Sequence, residues 1–269
     1  MVNLKTLLLV GLGFLLQLAE ASSVSVSERL RGVDNSWKRD SVTSSLSYEN
    51  ITSTLDQIIS RGYLKVGVTG DYPPFTYLVT NTTILPNSTA PNSTYIGADV
   101  EAAQSLSTGL GLTSPVQFVH TSWTNLSSDL LAGNFDIAMG GITITLARAT
   151  QLFFSTPILR GGKTACLRCS DTSKFTDLAS IDTSGVTVVV NPGGTNEVFD
   201  RANLKSATIL VVPSNLATYD AVRDGTAAVM ISDYIEVDLQ VALHPGELCG
   251  LASGQVFTFS ELAYMMRRD

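Results

Sequence analysis

Short β-rich runs alternate with amphipathic helical runs from about residue 50 onward, and this alternation constrains the fold more than any other feature of the chain. The predicted strands are 64–69, 116–119, 137–140, 186–190, 208–212 and 228–232. The predicted helices are 53–61, 100–108, 125–132, 197–203 and 215–224. Strands separated by helices predict an α/β fold in which parallel sheets are covered by helices.

One glycine-containing run, NPGGTNE at residues 191–197, directly follows a predicted strand and precedes a predicted helix. Gly193 and Gly194 allow backbone N–H groups to approach a ligand closely, and Thr195 is predicted to cap the helix. A helix N-terminus favours anions, and Glu197 places a titratable carboxyl group there. The run therefore predicts an anion-binding turn with one candidate acid or base.

A second run, DIAMGGITITLAR at residues 136–148, has a similar design. Its strand leads into two glycines, then the hydroxyls of Thr143 and Thr145, then Arg148. A guanidinium can hold a carboxylate through two parallel hydrogen bonds. In α/β sheets ligands bind where strands end and helices begin, so the two runs together predict a receptor for a small polyanionic ligand.

The N-terminus has the features of a secretory signal peptide. Lys5 precedes a leucine-rich segment at residues 7–18, and Ala19-Glu20-Ala21 has the small-x-small form of a cleavage site. We expect a signal peptide at residues 1–21, cleavage after Ala21, a secreted product and no membrane association after cleavage. The Ser-rich segment 22–50 is predicted to be a disordered linker or, if Lys38-Arg39 is a dibasic processing site, a pro-segment.

Acceptor sequences for N-linked glycans support a secreted product. They occur at Asn50, Asn81, Asn87, Asn92 and Asn125, and three of them crowd the polar stretch between Tyr77 and Tyr95. We expect glycosylation at these asparagines.

The charge composition argues against nucleic-acid binding. The net charge is −7, and the 17 Lys and Arg residues form no basic block that could neutralise phosphates. An anionic ligand must therefore be recognised by local groups such as Arg148 and Lys163.

Three cysteines occur in a chain expected in an oxidising compartment, so one pair and one unpaired thiol are expected. Cys166 and Cys169 form a C-x-x-C sequence, but it does not follow a thioredoxin-like strand at a helix start. With only two histidines in the chain, a zinc site is also disfavoured. The sequence predicts no metal and no cofactor.

Four motifs in their order along the chain carry a resemblance to a known family. TGDYPPF at residues 69–75, GADVEAA at 97–103, DIAMGGITIT at 136–145 and FFSTPIL at 153–159 resemble the periplasmic solute-binding proteins for amino acids. The resemblance implies a two-lobed periplasmic-binding-protein-like fold of type II that closes around its ligand. It implies lobe 1 at 51–158 plus 252–269 and lobe 2 at 159–251, with the C-terminal helices of this fold apparently missing because the sequence ends at Asp269.

Within that superfamily, further motifs are more particular. TSWTNL at 121–126, RGGKT at 160–164, the run NPGGTNEVFDRANLK at 191–205 and LHPGELC at 243–249 resemble the monofunctional cyclohexadienyl dehydratases. These enzymes convert prephenate or arogenate to phenylpyruvate or phenylalanine with loss of carbon dioxide and water. Because the departing hydroxyl must be protonated, the resemblance implies a general acid, and it implies that Glu197 has this role. We expect closure of the lobes against Trp123 and Tyr72, together with the negative charge of the substrate, to shift Glu197 towards its protonated form; the alternative is a first-turn glutamate that only stabilises its helix.

The resemblance also implies the substrate-binding residues and the ligand, a small dicarboxylate or amino acid. Arg148 would hold a carboxylate, assisted by hydrogen bonds from the Gly141 backbone and nearby polar groups, whereas Tyr72 and Trp123 would cover the ring. Lys163 would steady a second carboxylate, and Asp233 would accept an α-ammonium, which suits arogenate. The implied binding set is completed by Thr143, Thr195 and Asn196.

Each of these roles has a structural alternative. Arg148 could be a surface arginine, Tyr72 and Trp123 could be core residues, Lys163 could be solvated, and Asp233 could be a helix cap.

Similar dehydratases have cysteines at the positions of Cys169 and Cys249, so the resemblance implies that these two pair. The functional alternative to the dehydratase is a secreted binding protein for amino acids or carboxylates without catalysis; oligomeric state is not predicted.

Overall fold

The structure, a computed structural model, describes residues 53–80 and 93–268. The predicted signal peptide, the 22–50 segment and the acceptor asparagines at 50, 81, 87 and 92 lie outside these residues. Asn125 lies within them and is exposed. No helix of the described part of the chain is long and apolar enough to cross a membrane.

Strands and helices alternate through the described residues. The strands are β1 (Lys65–Val68), β2 (Asp71–Tyr72), β3 (Thr76–Thr80), β4 (Ser93–Ile96), β5 (Gln117–His120), β6 (Ile137–Thr143), β7 (Phe153–Phe154), β8 (Leu159–Gly161), β9 (Lys163–Arg168), β10 (Thr187–Val190), β11 (Thr208–Val211), β12 (Val229–Asp233), β13 (Leu248–Gly250) and β14 (Ser260–Met266). The helices are α1 (Thr54–Arg61), α2 (Ala98–Gly109), α3 (Leu126–Leu131), α4 (Leu146–Ala149), α5 (Leu178–Ile181), α6 (Thr195–Asn203), α7 (Asn215–Arg223) and α8 (Tyr234–Leu243). All six predicted strands and all five predicted helices are confirmed, with ends displaced by a few residues.

Lobe 1 is built on a sheet in the order β5-β1-β6-β14-β7, with β8 also paired to β14. Its β1 is parallel to both β5 and β6, whereas β14 runs antiparallel to β6. Alternate residues of the strands enter two cores, so that Met139 belongs to one and Ala138 to the other. A sheet buried on both faces explains why its strands are nearly continuous apolar runs.

Lobe 2 is built on a sheet in the order β11-β10-β12-β9-β13. Here β10 is parallel to β11 and β12, but β9 runs antiparallel to both β12 and β13. Along β9, Ala165 and Leu167 enter one core and Cys166 enters the other. The predicted parallel pairing is confirmed for β1 with β5 and β6 and for β10 with β11 and β12, but both sheets are mixed because β14 and β9 insert as antiparallel strands.

The chain crosses from lobe 1 to lobe 2 at Gly162, between β8 and β9. Since β8 pairs with β14, the first sheet extends to Gly161, slightly past the predicted boundary at residue 158. The returning segment lies against this crossing, and a Cβ on Gly162 would be 1.8 Å from the Thr258 carbonyl oxygen. Glycine is needed here because the two crossing segments are in direct backbone contact.

A disulfide joins Cys169, directly after β9, to Cys249 in β13, which lies 80 positions further along the chain in lobe 2. Cys166 is buried and unpaired. Both observations agree with the pairing that the resemblance implied. Burial raises the pKa of the Cys166 thiol to about 12, which makes it a poor nucleophile.

Candidate functional site

A cavity with about 310 Å3 of empty space, partly open to solvent, lies between the two lobes. Lobe 1 and lobe 2 contribute similar shares of its wall. The lining residues are Tyr72, Trp123, Gly141, Thr143 and Arg148 from lobe 1, and Asn191, Gly194, Thr195, Asn196, Asn215 and Asp233 from lobe 2. The cavity therefore brings polar side chains of both lobes together around one space.

Arg148 supplies positive charge to the cavity from the short helix α4. Thr145 caps this helix by accepting a hydrogen bond from the Arg148 backbone N–H at 3.2 Å. The guanidinium donates from Nη1 to the Thr143 carbonyl oxygen at 2.9 Å, which fixes its orientation. Within the described residues Arg148 forms no salt bridge, and burial lowers its pKa. An uncompensated, half-buried guanidinium is suited to a ligand carboxylate.

The hydroxyls of Thr143 and Thr195 meet across the cavity, with their oxygens 3.3 Å apart. Gly141 also lines the cavity, but its backbone N–H donates to Asp99 Oδ2 at 3.1 Å. The expectation that the Gly141 backbone N–H would bind the substrate is therefore wrong, because the buried Asp99 at the start of α2 already occupies this donor.

The two predicted ring-covering residues form one aromatic wall. Tyr72 and Trp123 meet edge to face with ring centroids 5.5 Å apart. Trp123 Nε1 donates to Asp71 Oδ1 at 3.0 Å, and the Asn215 backbone N–H donates to Asp71 Oδ2 at 3.2 Å. Asp71 thus ties the aromatic wall of lobe 1 to helix α7 of lobe 2.

Asp233 is the last residue of β12 and directly precedes α8, yet its side chain makes no capping hydrogen bond. Instead, Asp233 Oδ2 accepts from the Tyr72 hydroxyl at 2.6 Å, and Asp233 Oδ1 lies 3.2 Å from Lys163 Nζ. Burial, followed by the charge of Asp233, raises the pKa of Tyr72 well above its usual value, so Tyr72 stays a neutral donor. The helix-cap alternative for Asp233 is excluded in this structure.

Lys163 does not line the cavity. It is buried behind Asp233 and Asn196, and its ammonium group donates to the Asn196 side-chain oxygen as well as to Asp233. The solvated-lysine alternative is therefore wrong. The expected direct contact of Lys163 with a second ligand carboxylate is also not present, because two protein side chains surround the ammonium group first.

Glu197 lies in the first turn of α6 and is not part of the cavity wall. Its Oε2 accepts from the Gly193 backbone N–H at 2.7 Å, and its Oε1 accepts from Arg201 Nη2 at 2.7 Å. The hydrogen bond from Gly193, followed by that from Arg201, lowers the pKa of Glu197. The expectation that burial would hold Glu197 protonated is wrong for this structure, because both partners favour the ionised carboxylate.

The start of α6 differs from the prediction in one further respect. The N-cap is Gly194 rather than Thr195, and no side chain caps the helix. Thr195 is the first helical residue, and its hydroxyl instead meets Thr143 across the cavity. At Gly193, which has φ +82°, a Cβ would be 2.3 Å from Thr124 Oγ1, so the glycine permits the close approach of the two lobes.

Two residues of the wall, Asn191 and Asn215, were given no role by sequence reasoning, whereas Gly194 was predicted to lie close to a ligand. Asn191 and Gly194 both belong to the NPGGTNE run. This run therefore contributes more residues to the cavity wall than the side chains that were assigned a role. Asn215 begins a predicted helix directly after a predicted strand, which is the position where α/β folds place ligand-binding groups. Among the described residues the buried Asn191 Oδ1 has no hydrogen-bond partner.

Asp200, one turn beyond Asn196 on α6, carries a buried carboxyl group with no hydrogen-bond partner among the described residues. Burial raises its pKa to about 8, although the positive charges of Lys163 and Arg201 oppose this shift. Asp200 is therefore protonated at neutral pH and adds no negative charge to the site.

Replacing Asp200 by asparagine is expected to raise the stability of the protein at pH 8 and to flatten its pH dependence. The unfolded aspartate titrates near pH 4, whereas the folded one titrates near pH 8. Between these values only the folded state retains the proton, so the parent loses stability as pH rises, at most by roughly 1.4 kcal/mol per unit. Unfolding in urea at pH 4 to 9 measures this, with the exposed Asp220→Asn as a matched control. If the free energy of unfolding of the parent and of Asp200→Asn changed with pH in parallel, Asp200 would not have a raised pKa in the folded protein.

Two α/β lobes that close around one small cavity, with a guanidinium on one side and a carboxylate on the other, define a solute-binding protein. The chain belongs to the bacterial extracellular solute-binding proteins of family 3, whose sequence profile matches residues 64–237. The family resemblance of the motifs is thereby confirmed.

One relative is the cyclohexadienyl dehydratase of Pseudomonas aeruginosa, which is 46% identical over 84% of this chain and 79% of its own length. Among solved structures, an ancestral amino acid-binding protein described as a precursor of cyclohexadienyl dehydratase is 30% identical. Its TM-score is 0.70, over 80% of this chain and 86% of that chain. An amino acid transporter substrate-binding protein of Streptococcus pneumoniae bound to L-arginine is 20% identical, has a TM-score of 0.69 over 80% of this chain and 85% of its own, and shares the fold.

Proposed function

We propose that this protein is a cyclohexadienyl dehydratase, a carbon–oxygen lyase that acts on prephenate or arogenate. The observation that carries the proposal is the cavity itself, in which the unpaired guanidinium of Arg148 and the polar groups around Asp233 flank an aromatic wall. The 46% identity to the Pseudomonas enzyme over most of both chains supports the same assignment.

The proposed reaction breaks two bonds on one ring. The ring carboxylate leaves as carbon dioxide, and the electron pair of its carbon–carbon bond moves into the ring. The hydroxyl on the opposite carbon takes up one proton and leaves as water. The ring becomes aromatic as a result. The protein must therefore bind a substrate with two carboxylates and supply one proton to the departing hydroxyl.

The lining residues suit these tasks. Arg148 binds the side-chain carboxylate through its free N–H groups, and Thr143 and Thr195 place hydroxyls beside it. Tyr72 and Trp123 pack against the ring and exclude water from it. Asn196 lines the lobe 2 side, where its amide is held between Lys163 and Ser232.

We assign the proton donor to Glu197. Its carboxyl group is ionised while it contacts Gly193 and Arg201, so proton donation requires that the Arg201 contact opens and that Glu197 turns into the cavity. The bound dianionic substrate favours this change, because its negative charge raises the pKa of a nearby carboxyl group.

The salt bridge of Glu197 favours a second candidate function, that of a binding protein without catalysis. In that case Glu197 only stabilises the first turn of α6 through its pairing with Arg201. Arg148 and Asp233 would then hold the carboxylate and the ammonium of an amino acid.

Turnover of prephenate and of arogenate, measured side by side on purified protein that begins at Ser22, separates the two functions. We expect formation of phenylpyruvate or phenylalanine well above the uncatalysed rate, and faster formation at mildly acidic pH than at pH 8. No product from either substrate, together with thermal stabilisation by an amino acid, would replace the dehydratase by the binding protein.

The proposal includes secretion of the protein, removal of a signal peptide and glycosylation. Membership of an extracellular family supports secretion, and we propose that residues 1–21 are removed after Ala21. The exposed Asn125 is proposed to carry a glycan in a host that glycosylates secreted proteins.

A further inference from the structure

Lys163 and Asp233 lie directly opposite each other in the antiparallel pairing of β9 with β12. Their side chains are 5% and 8% exposed, and Lys163 Nζ is 3.2 Å from Asp233 Oδ1. Opposite charges at facing positions of two strands attract each other, and burial strengthens the attraction. The carboxylate that would meet a ligand ammonium is thus already paired with a protein ammonium.

The two buried carboxyl groups that interact with this pair add no negative charge near neutral pH. Asp200, whose pKa is affected by Lys163, and Glu236, whose pKa is affected by Asp233, both have pKa values of about 8 because they are buried. Tyr72 remains neutral. Within this buried group the charge of Lys163 therefore compensates the charge of Asp233.

A ligand with an α-ammonium group beside Asp233 would bring a second positive charge close to Lys163. Tyr72 and Lys163 each donate to one oxygen of Asp233, so an ammonium group could use only the remaining lone pairs of a carboxylate whose charge is already compensated. A ligand with a 2-oxo group brings no positive charge, so it avoids the cost of burying an ammonium group beside a carboxylate that Lys163 already compensates.

We propose that Lys163 is a specificity-determining residue that makes the cavity select 2-oxo acids over the corresponding 2-amino acids. The inference rests on the proposed function and sharpens it, since prephenate rather than arogenate becomes the preferred substrate. It replaces the expectation that Asp233 favours arogenate.

Binding of phenylpyruvate and of phenylalanine, measured by calorimetry at pH 7, tests the selection without any need for turnover. The two compounds differ only in carrying a 2-oxo or a 2-ammonio group. We expect the parent protein to bind phenylpyruvate at least about tenfold more tightly. Equal binding, or tighter binding of phenylalanine, would overturn the proposal.

Two variants assign the preference to the lysine. Lys163→Met frees Asp233, so phenylalanine should gain affinity and the preference should shrink at least about tenfold. Asp233→Asn keeps the charge of Lys163, so the preference for phenylpyruvate should persist or increase. An unchanged preference in folded Lys163→Met, or reversal in folded Asp233→Asn, would refute the role of Lys163; if Lys163→Met does not fold, Asp233→Asn and the parent still decide.

Turnover distinguishes this proposal from the dehydratase assignment. Selective binding of phenylpyruvate without turnover of either substrate would leave the selection standing and remove the enzyme. Turnover of both substrates with equal kcat/KM, together with equal binding of phenylpyruvate and phenylalanine, would leave the dehydratase assignment standing and remove the selection. If neither product binds and neither substrate reacts, both proposals fail.

Discussion

Glu197→Gln is expected to reduce kcat for prephenate by about 10²–10⁴, because the glutamine amide cannot donate a proton to the departing hydroxyl. The substitution preserves the size of the side chain, and the carboxylate-binding groups around Arg148 are untouched. Product binding should therefore change little. Steady-state kinetics and calorimetry on the same preparation measure the two effects separately.

Arg201→Gln is the matched variant for this test. Arg201 contributes to the lowered pKa of Glu197, after the larger contribution of the Gly193 N–H, so its removal should raise that pKa. An acid works in its protonated form, and its rate falls as pH rises through the pKa. The fall in kcat should therefore move to higher pH in Arg201→Gln. If Glu197 only stabilises its helix, both variants should lose a little stability, and the pH profile of kcat should not change.

Arg148→Lys is expected to lower kcat/KM by about 10²-fold or more and to weaken binding of phenylpyruvate by a similar factor. A hydrogen bond to a charged group contributes about 1.5–3 kcal/mol, so the loss of one or two such bonds accounts for an effect of this size. Lysine keeps the charge but loses the two parallel hydrogen bonds and the contact from Nη1 to the Thr143 carbonyl.

Arg160→Lys provides the control for Arg148→Lys. Arg160 is also in lobe 1, but its side chain is 74% exposed and pairs with Glu261 at the surface. Surface pairs of this kind contribute little, so kcat/KM should stay near the parent value. Equal effects of the two substitutions, or unaltered binding in Arg148→Lys, would show that Arg148 does not hold the carboxylate.

The sequence predicted the strands and helices because they follow local periodicity. The apolar run around Val188 and Val189 is buried on both faces of its sheet, so it is recognisable without knowledge of its neighbours. Most of the cavity wall was also predictable, since the end of β6 and the start of α6 each carry a glycine run at a strand end. The pairing of Glu197 with Arg201, four residues apart on one helix, could have been inferred from spacing alone.

The sequence by itself thus determined the elements, the two glycine-containing runs that line the cavity and the family. Only the tertiary structure decided the directions of β9 and β14, because strand pairing depends on contacts between distant segments. It also decided the charge of the site. Lys163 and Asp233 are 70 residues apart and meet only because β9 pairs antiparallel with β12 in one register. Burial and partners set the protonation of Asp200, Glu236 and Glu197, and neither is written in local sequence.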